Sequence, residues 1–243
     1  MIHQQTVERL RSLRLPAMAD ALVTQASQPD VHGLSFEERL GLLVDQEWLY
    51  RDNRRLARLL HDAKLRVAAC VEDIDYTHPR GLDRVVVRSL ATCGWVRSHQ
   101  NVLITGPTGV GKSFMACALG NAGCRQGFSA RYYRVPRLMT ELAIARGDGS
   151  FPKLLGRLAR VQLLVLDDWA LTPLNAQEAR DLLEVIDDRC QTSSTIVATQ
   201  LPIDQWHGTI ADPSVADAIL DRLVHNSHKL ILKGESMRKT RTE

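Results

Sequence analysis

Apolar positions recur at helical spacing through the first part of the chain and then give way to short apolar runs. Val7, Leu10 and Leu13 share one helix face until Pro16 interrupts it. Met18, Ala21 and Leu22 predict a second, short helix, followed by a polar loop with Pro29 and Gly33. Ser35 and Glu38 have capping-box spacing, in which a hydroxyl accepts from a free helix amide and a carboxylate reaches back three residues. Phe36, Leu40, Leu43 and Val44, then Leu56, Leu59 and Leu60, continue the period and predict one long helix over about 36–65.

Cys70 to Asp83, with Pro79 and Gly81, reads as a linker. From Asn101 onward, apolar runs at Val102–Thr105, Ala130–Val135, Leu163–Leu166, Thr195–Ala198 and Leu230–Leu232 alternate with amphipathic stretches. Such alternation predicts βα units around a mostly parallel sheet. The expected fold class is therefore α/β, with a small all-helical N-terminal domain over 1–68 and the α/β domain over 69–243.

The first of these runs ends directly in Gly106-Pro107-Thr108-Gly109-Val110-Gly111-Lys112-Ser113, and Phe114 continues into a predicted helix. This is the G-x-x-x-x-G-K-S phosphate loop in its strand-to-helix setting. Glycines let successive backbone amides point inward at phosphate oxygens, and the helix N-terminus favours an anion. Lys112 is placed to reach the β and γ phosphates of ATP, and the Ser113 hydroxyl to ligate Mg²⁺. The run Leu163–Leu166 ends in Asp167-Asp168. A buried strand delivers such carboxylates to the sheet edge beside the phosphates. Asp167 would hold Mg²⁺, and Asp168 would orient and deprotonate the attacking water.

Composition changes little in this picture. Over 243 residues, hydrophobic positions are 44% and charged positions 24%, with a net charge of +3, which permits nucleic-acid binding without demanding it. Aromatics at 5% argue against a stacking platform for single strands. The five cysteines (70, 93, 117, 124 and 190) form no Cys-x-x-Cys pair and read as small buried hydrophobes in a reducing compartment. Neither a signal-peptide core nor an apolar stretch of membrane-spanning length is present, so a cytoplasmic location is expected. His225 and His228 lack the partners of a metal site and read as strand-edge histidines, while Trp169 and Trp206 read as packing anchors.

Four segments together resemble a known family: GPTGVGKS, the LLVLDDW strand end, ATQLPIDQWH, and the run DPSVADAILDRLVHNSHKLILKGESMR. They are similar to the IstB transposition helper ATPases of bacterial insertion sequences, which are AAA+ proteins related to the DnaC-type helicase loaders. The resemblance spans nearly the whole chain. It implies an AAA+ core without a helical lid, and a sensing polar side chain at the end of the fourth strand, Thr199 or Gln200. It also implies an arginine finger at Arg222 that acts in trans on a neighbour's ATP, and Arg238 lies where a second sensing arginine can stand. Read without the family, Arg222 is a solvated charge off the Ala216/Ile219/Leu220/Leu223 stripe of a helix that Asp212-Pro213 begins. Where the AAA+ pattern has Glu, this chain has Asp168, and the shorter arm implies slow hydrolysis.

The resemblance further implies duplex DNA, a transposase encoded by the same insertion sequence, and an ATP-dependent oligomer of this chain as partners. Between Arg51 and Arg66 six basic residues stand against two acids, and Arg51, Arg54, Arg55 and Arg58 share a helix face that can follow a phosphate backbone or simply be solvated. Lys229, Lys233, Arg238, Lys239 and Arg241 form a second basic cluster. The alternative function is a DnaC-like replicative helicase loader. A small-molecule kinase would need a lid motif that the residues beyond Leu171 do not offer.

Overall fold

Pro16 separates the first two helices by serving the second. In the computed structural model, which describes residues 2–237, α1 spans Ile2–Ser12 and α2 spans Pro16–Ser27, with Pro16 in its first turn. The second helix is longer than its apolar pattern predicts. Leu15, its N-cap, offers no side-chain acceptor, and the Glu47 carboxylate supplies one instead, accepting from the amides of Ala17 at 3.0 Å and Met18 at 3.1 Å. Glu47 lies on α3, Phe36–Ala63, whose start is closed by the predicted capping box: Ser35 N donates to Glu38 Oε2 at 2.8 Å, and Glu38 N to Ser35 Oγ at 3.2 Å. The chain divides into two compact units between Arg58 and Leu59, within the last turns of α3.

The second unit is built on five parallel strands: β1 Asn101–Thr105, β2 Ala130–Arg134, β3 Leu163–Trp169, β4 Ser194–Thr199 and β5 Ser227–Ile231, in the order β2-β3-β4-β1-β5. Every residue of β1 and β4 is buried, as expected of central parallel strands. The last strand begins three residues before its apolar run, because as an edge strand it exposes His228 and Lys229 while pairing Val102 with His228. His225, expected at a strand edge, instead occupies the turn that follows the last helix, with Nε2 3.3 Å from Asp221.

Helices α4 Arg84–Ala91 and α5 Gly94–Arg97 precede β1; α6 Lys112–Arg125 follows it. Helices α7 Val135–Asp148 and α8 Phe151–Arg160 join β2 to β3, α9 Ala176–Asp187 joins β3 to β4, and α10 Pro213–Val224 leads into β5. Leu103, Leu164, Leu166 and Val197 pack with residues of α7 to α10 in one core that includes Trp169 and Trp206, whose ring centroids are 5.3 Å apart. Each fully buried leucine there contributes about 1.5–3 kcal/mol relative to exposure.

Two polar clamps fix this sheet to its helices. Asn101 donates to the carbonyls of Arg222 and Leu223 at the end of α10 and accepts from Thr195 N. Arg189, 2% exposed, donates to the carbonyls of Leu158, Val161 and Ser194, and burial pushes its pKa down to about 9. Among the described residues no helix is long and apolar enough to cross a membrane.

Candidate functional site

The loop between β1 and α6 needs backbone that only glycine adopts cheaply. Gly109 and Gly111 have φ of +89° and +95°. A side chain at Gly109 would also collide with Ser236, whose neighbour Met237 donates its amide to the Gly109 carbonyl at 3.1 Å. Gly111 is the N-cap of α6 and provides no side-chain cap, and a helix N-terminus of this kind favours an anion. Lys112 Nζ donates to the Pro107 carbonyl at 2.7 Å, folding the side chain back over its own loop.

Parallel strands end on a common edge, and here that edge carries charge. Between Leu166 and Trp169 the β3–β4 register shifts, and Asp168 adopts φ +56°. Such a bulge re-aims side chains. Asp167, 2% exposed, accepts from the Tyr132 hydroxyl at 2.7 Å and from the Asp168 amide at 2.9 Å. Burial and the bond to Asp167 raise the Tyr132 pKa. Asp168 is ion-paired with Arg134 Nε at 2.5 Å. The two acids, Lys112, Ser113 and Gln200 line one cavity of about 770 Å³.

The two sensing candidates separate in the structure. Thr199 is buried, donating to the Trp169 carbonyl at 2.6 Å and accepting from Leu201 N. Gln200 is exposed, and its Oε1 accepts from Thr108 of the phosphate loop at 2.7 Å. Arg222 does not line this cavity. Its Nε is paired with Asp187 Oδ1 at 2.5 Å, and its Nη1 donates to the Ala218 carbonyl.

The basic stripe of α3 is unevenly occupied. Arg51 bonds Glu47 at 2.8 Å and the Arg14 carbonyl at 2.8 Å, Arg54 lies over the Tyr50 ring at 5.6 Å, and Arg55 and Arg58 are exposed. In the second basic cluster, Arg238, Lys239 and Arg241 lie outside the described residues.

Three arginines line the cavity without a local motif that places them there. Arg80, in the predicted linker, is buried and donates to the carbonyls of Val110 at 3.0 Å and Asp75 at 2.7 Å, and to Met237 Sδ at 3.1 Å. It supports the phosphate loop from behind, and no local pattern announces it. Arg134 meets the acids because β2 lies beside β3 and parallel register pairs it with Asp167, a neighbour relation that the apolar runs do not give. Arg66 is the third.

The groups fit a nucleotide triphosphate with its metal. An uncapped helix start, a lysine and the glycine loop suit phosphate, while the hydroxyl of Ser113 and the buried carboxylate of Asp167 are oxygen donors of the kind Mg²⁺ takes.

The family model described as IstB-like ATP binding protein matches residues 8–243. The insertion sequence ATP-binding protein y4pL of Sinorhizobium fredii is 49% identical over 98% of this chain and 98% of its own length. Among solved structures, that of DnaI covers 72% of this chain and 93% of its own, with a TM-score of 0.59 at 18% identity. The DnaC helicase loader covers 61% and 87%, with a TM-score of 0.53 at 19% identity. These two likenesses show a shared fold.

Proposed function

Because this chain belongs to the family of IstB-like ATP-binding proteins, we propose that it is an ATP-dependent, DNA-binding AAA+ regulator of transposition. In this reading it assembles as an ATP-dependent oligomer on duplex target DNA, remodels it, and recruits or stimulates the transposase of the same insertion sequence. Residues 1–68 serve DNA binding and assembly, and residues 69–243 form the ATPase domain without a helical lid. The observation that carries the reading is the convergence of the phosphate loop and the two terminal acids of β3 on one cavity, in a chain 49% identical to an insertion sequence ATP-binding protein.

The backbone N–H groups of the Gly106–Ser113 loop other than Pro107, and the first turn of α6, which includes Phe114, cradle the phosphates. Lys112 leaves the Pro107 carbonyl to meet the β and γ oxygens. Ser113 and Asp167 would hold Mg²⁺, which would supply charge neutralisation along the phosphate chain. Asp168 takes the proton of the attacking water, which requires its carboxylate to leave Arg134. Gln200, already touching the loop through Thr108, is the better placed of the two candidates to sense the terminal phosphate; Thr199 holds the strand end. Arg222 completes a neighbouring subunit's site in trans.

Lys112→Ala tests the core of this reading. ATP affinity should fall at least about tenfold, since a charge-assisted contact contributes about 1.5–3 kcal/mol, and assembly on duplex DNA should be lost with it. Unchanged binding of a fluorescent ATP analogue would remove the loop from the mechanism. The second reading, a helicase loader, is favoured by the likeness to the DnaI and DnaC folds. ATP-dependent preference for single-stranded over duplex DNA would select it.

A further inference from the structure

Arg66 lies on the short segment that leads from α3 into the core. Its Nη1 is 3.9 Å from Oδ2 of Asp167 and 3.9 Å from Oδ2 of Asp168. It lies beside the Tyr132 hydroxyl, which donates to Asp167. The side chain is 46% exposed and lines the same cavity as Lys112 and Ser113. Its contact with Asp168 differs from that of Arg134. Arg134 makes a direct ion pair, whereas 3.9 Å exceeds hydrogen-bond length, so the attraction between Arg66 and the acids is Coulombic. Its planar fork carries five N–H donors that can meet a ligand in the cavity it lines.

A cation held by Asp167 and Ser113 would neutralise the carboxylates that now attract the guanidinium and would repel it. The strongest anion then within the cavity is the terminal phosphate, which a planar five-donor fork suits. We propose that Arg66 is a specificity-determining residue of this site: it contacts the terminal phosphate of ATP and discriminates ATP from ADP. The proposal rests on the phosphate-loop reading above. It also gives nucleotide state a route to the chain just beyond α3, because the side chain that reads the phosphate is anchored there.

The test is calorimetry on the full chain with Mg²⁺, using AMPPCP as a non-hydrolysed ATP and ADP as the comparison. Arg66→Ala should lower AMPPCP affinity about tenfold or more while ADP affinity stays within about twofold. Arg66→Lys, which keeps the charge but not the fork, should restore part of the difference. Retained ADP binding reports an intact fold; Arg66→Gln, which keeps a long polar side chain without the charge, replaces the alanine variant if that one fails to fold. Equal losses on both nucleotides in all variants, or no change on either, overturn the assignment. If Lys112→Ala loses both nucleotides while the Arg66 variants change neither, only Arg66 is wrong. If Lys112→Ala binds both as the wild type does, the phosphate-loop reading itself falls.

Discussion

At the scale of single residues, Asp168 combines an uncommon backbone with an engaged side chain. Its φ of +56° is one that Asp tolerates better than most residues, and its carboxylate meets Arg134 rather than open solvent. Asp168→Asn keeps the shape and removes the proton acceptor. ATP should still bind, and hydrolysis should fall about 10²–10⁴-fold, the usual worth of a general base. A wild-type rate in a phosphate-release assay would transfer the role to another group. The phosphate loop and both acids were legible in the sequence because each is a local motif. Arg66 was legible only as one charge of a basic run, and Arg80 and Arg134 not as site residues, since their partners Asp167, Val110 and Asp168 come from distant segments.

At the scale of elements, α2 begins on a carboxylate from α3. Burial pushes the Glu47 pKa up, but Arg51 and the amides of Met18 and Ala17 outweigh it, so the net shift is downward. A depressed pKa means stability that is fully present above the ordinary glutamate range and lost as pH falls through the folded value. Acid should therefore loosen the N-terminal helices, and Glu47→Gln should flatten that part of the pH–stability curve in melts followed by circular dichroism. An unchanged curve would detach the helix cap from acid stability. Arg51 belongs to this cap, so a test of DNA contact is cleaner on Arg54, Arg55 and Arg58. Reversing these three to Glu should weaken duplex binding and lower its salt dependence by about one in slope per lost phosphate contact. An unaltered slope places the DNA elsewhere. The capping box at Ser35 was predictable because its two residues are three apart; the Glu47 cap was not, because it joins residues thirty apart in sequence.

At the scale of the whole molecule, the candidate finger lies outside the cavity it is meant to serve. Arg222 is paired with Asp187 and held on a helix end that Asn101 ties to the sheet. If it serves a neighbour, complementation follows. At an ATP concentration that fills the wild-type site but not the weakened one, Lys112→Ala subunits lack ATP but keep Arg222, while Arg222→Ala subunits bind ATP and lack the finger. Each alone should be nearly inactive, because a trans arginine is worth about 10³–10⁵ in rate, and the mixture on DNA should recover part of the ATPase activity. A mixture that co-assembles yet stays inactive would falsify the trans role. The alternation of apolar runs was enough to expect a parallel sheet, since central strands β1, β3 and β4 are almost wholly buried. Strand order was not legible, because periodicity records burial and not which strand lies beside which.

That order has a consequence for synthesis. The central strand β1 lies between β4 and β5, pairing Val102 with Ile196 on one side and with His228 on the other. Both edges of an apolar strand stay open until chain far beyond it has been made. The core therefore closes late during translation, with an exposed β1 as a site for aggregation or chaperone capture in the interval. Nascent chains arrested before β4 should be protease-sensitive across β1, and protection should appear in two steps, as β4 and then β5 leave the ribosome.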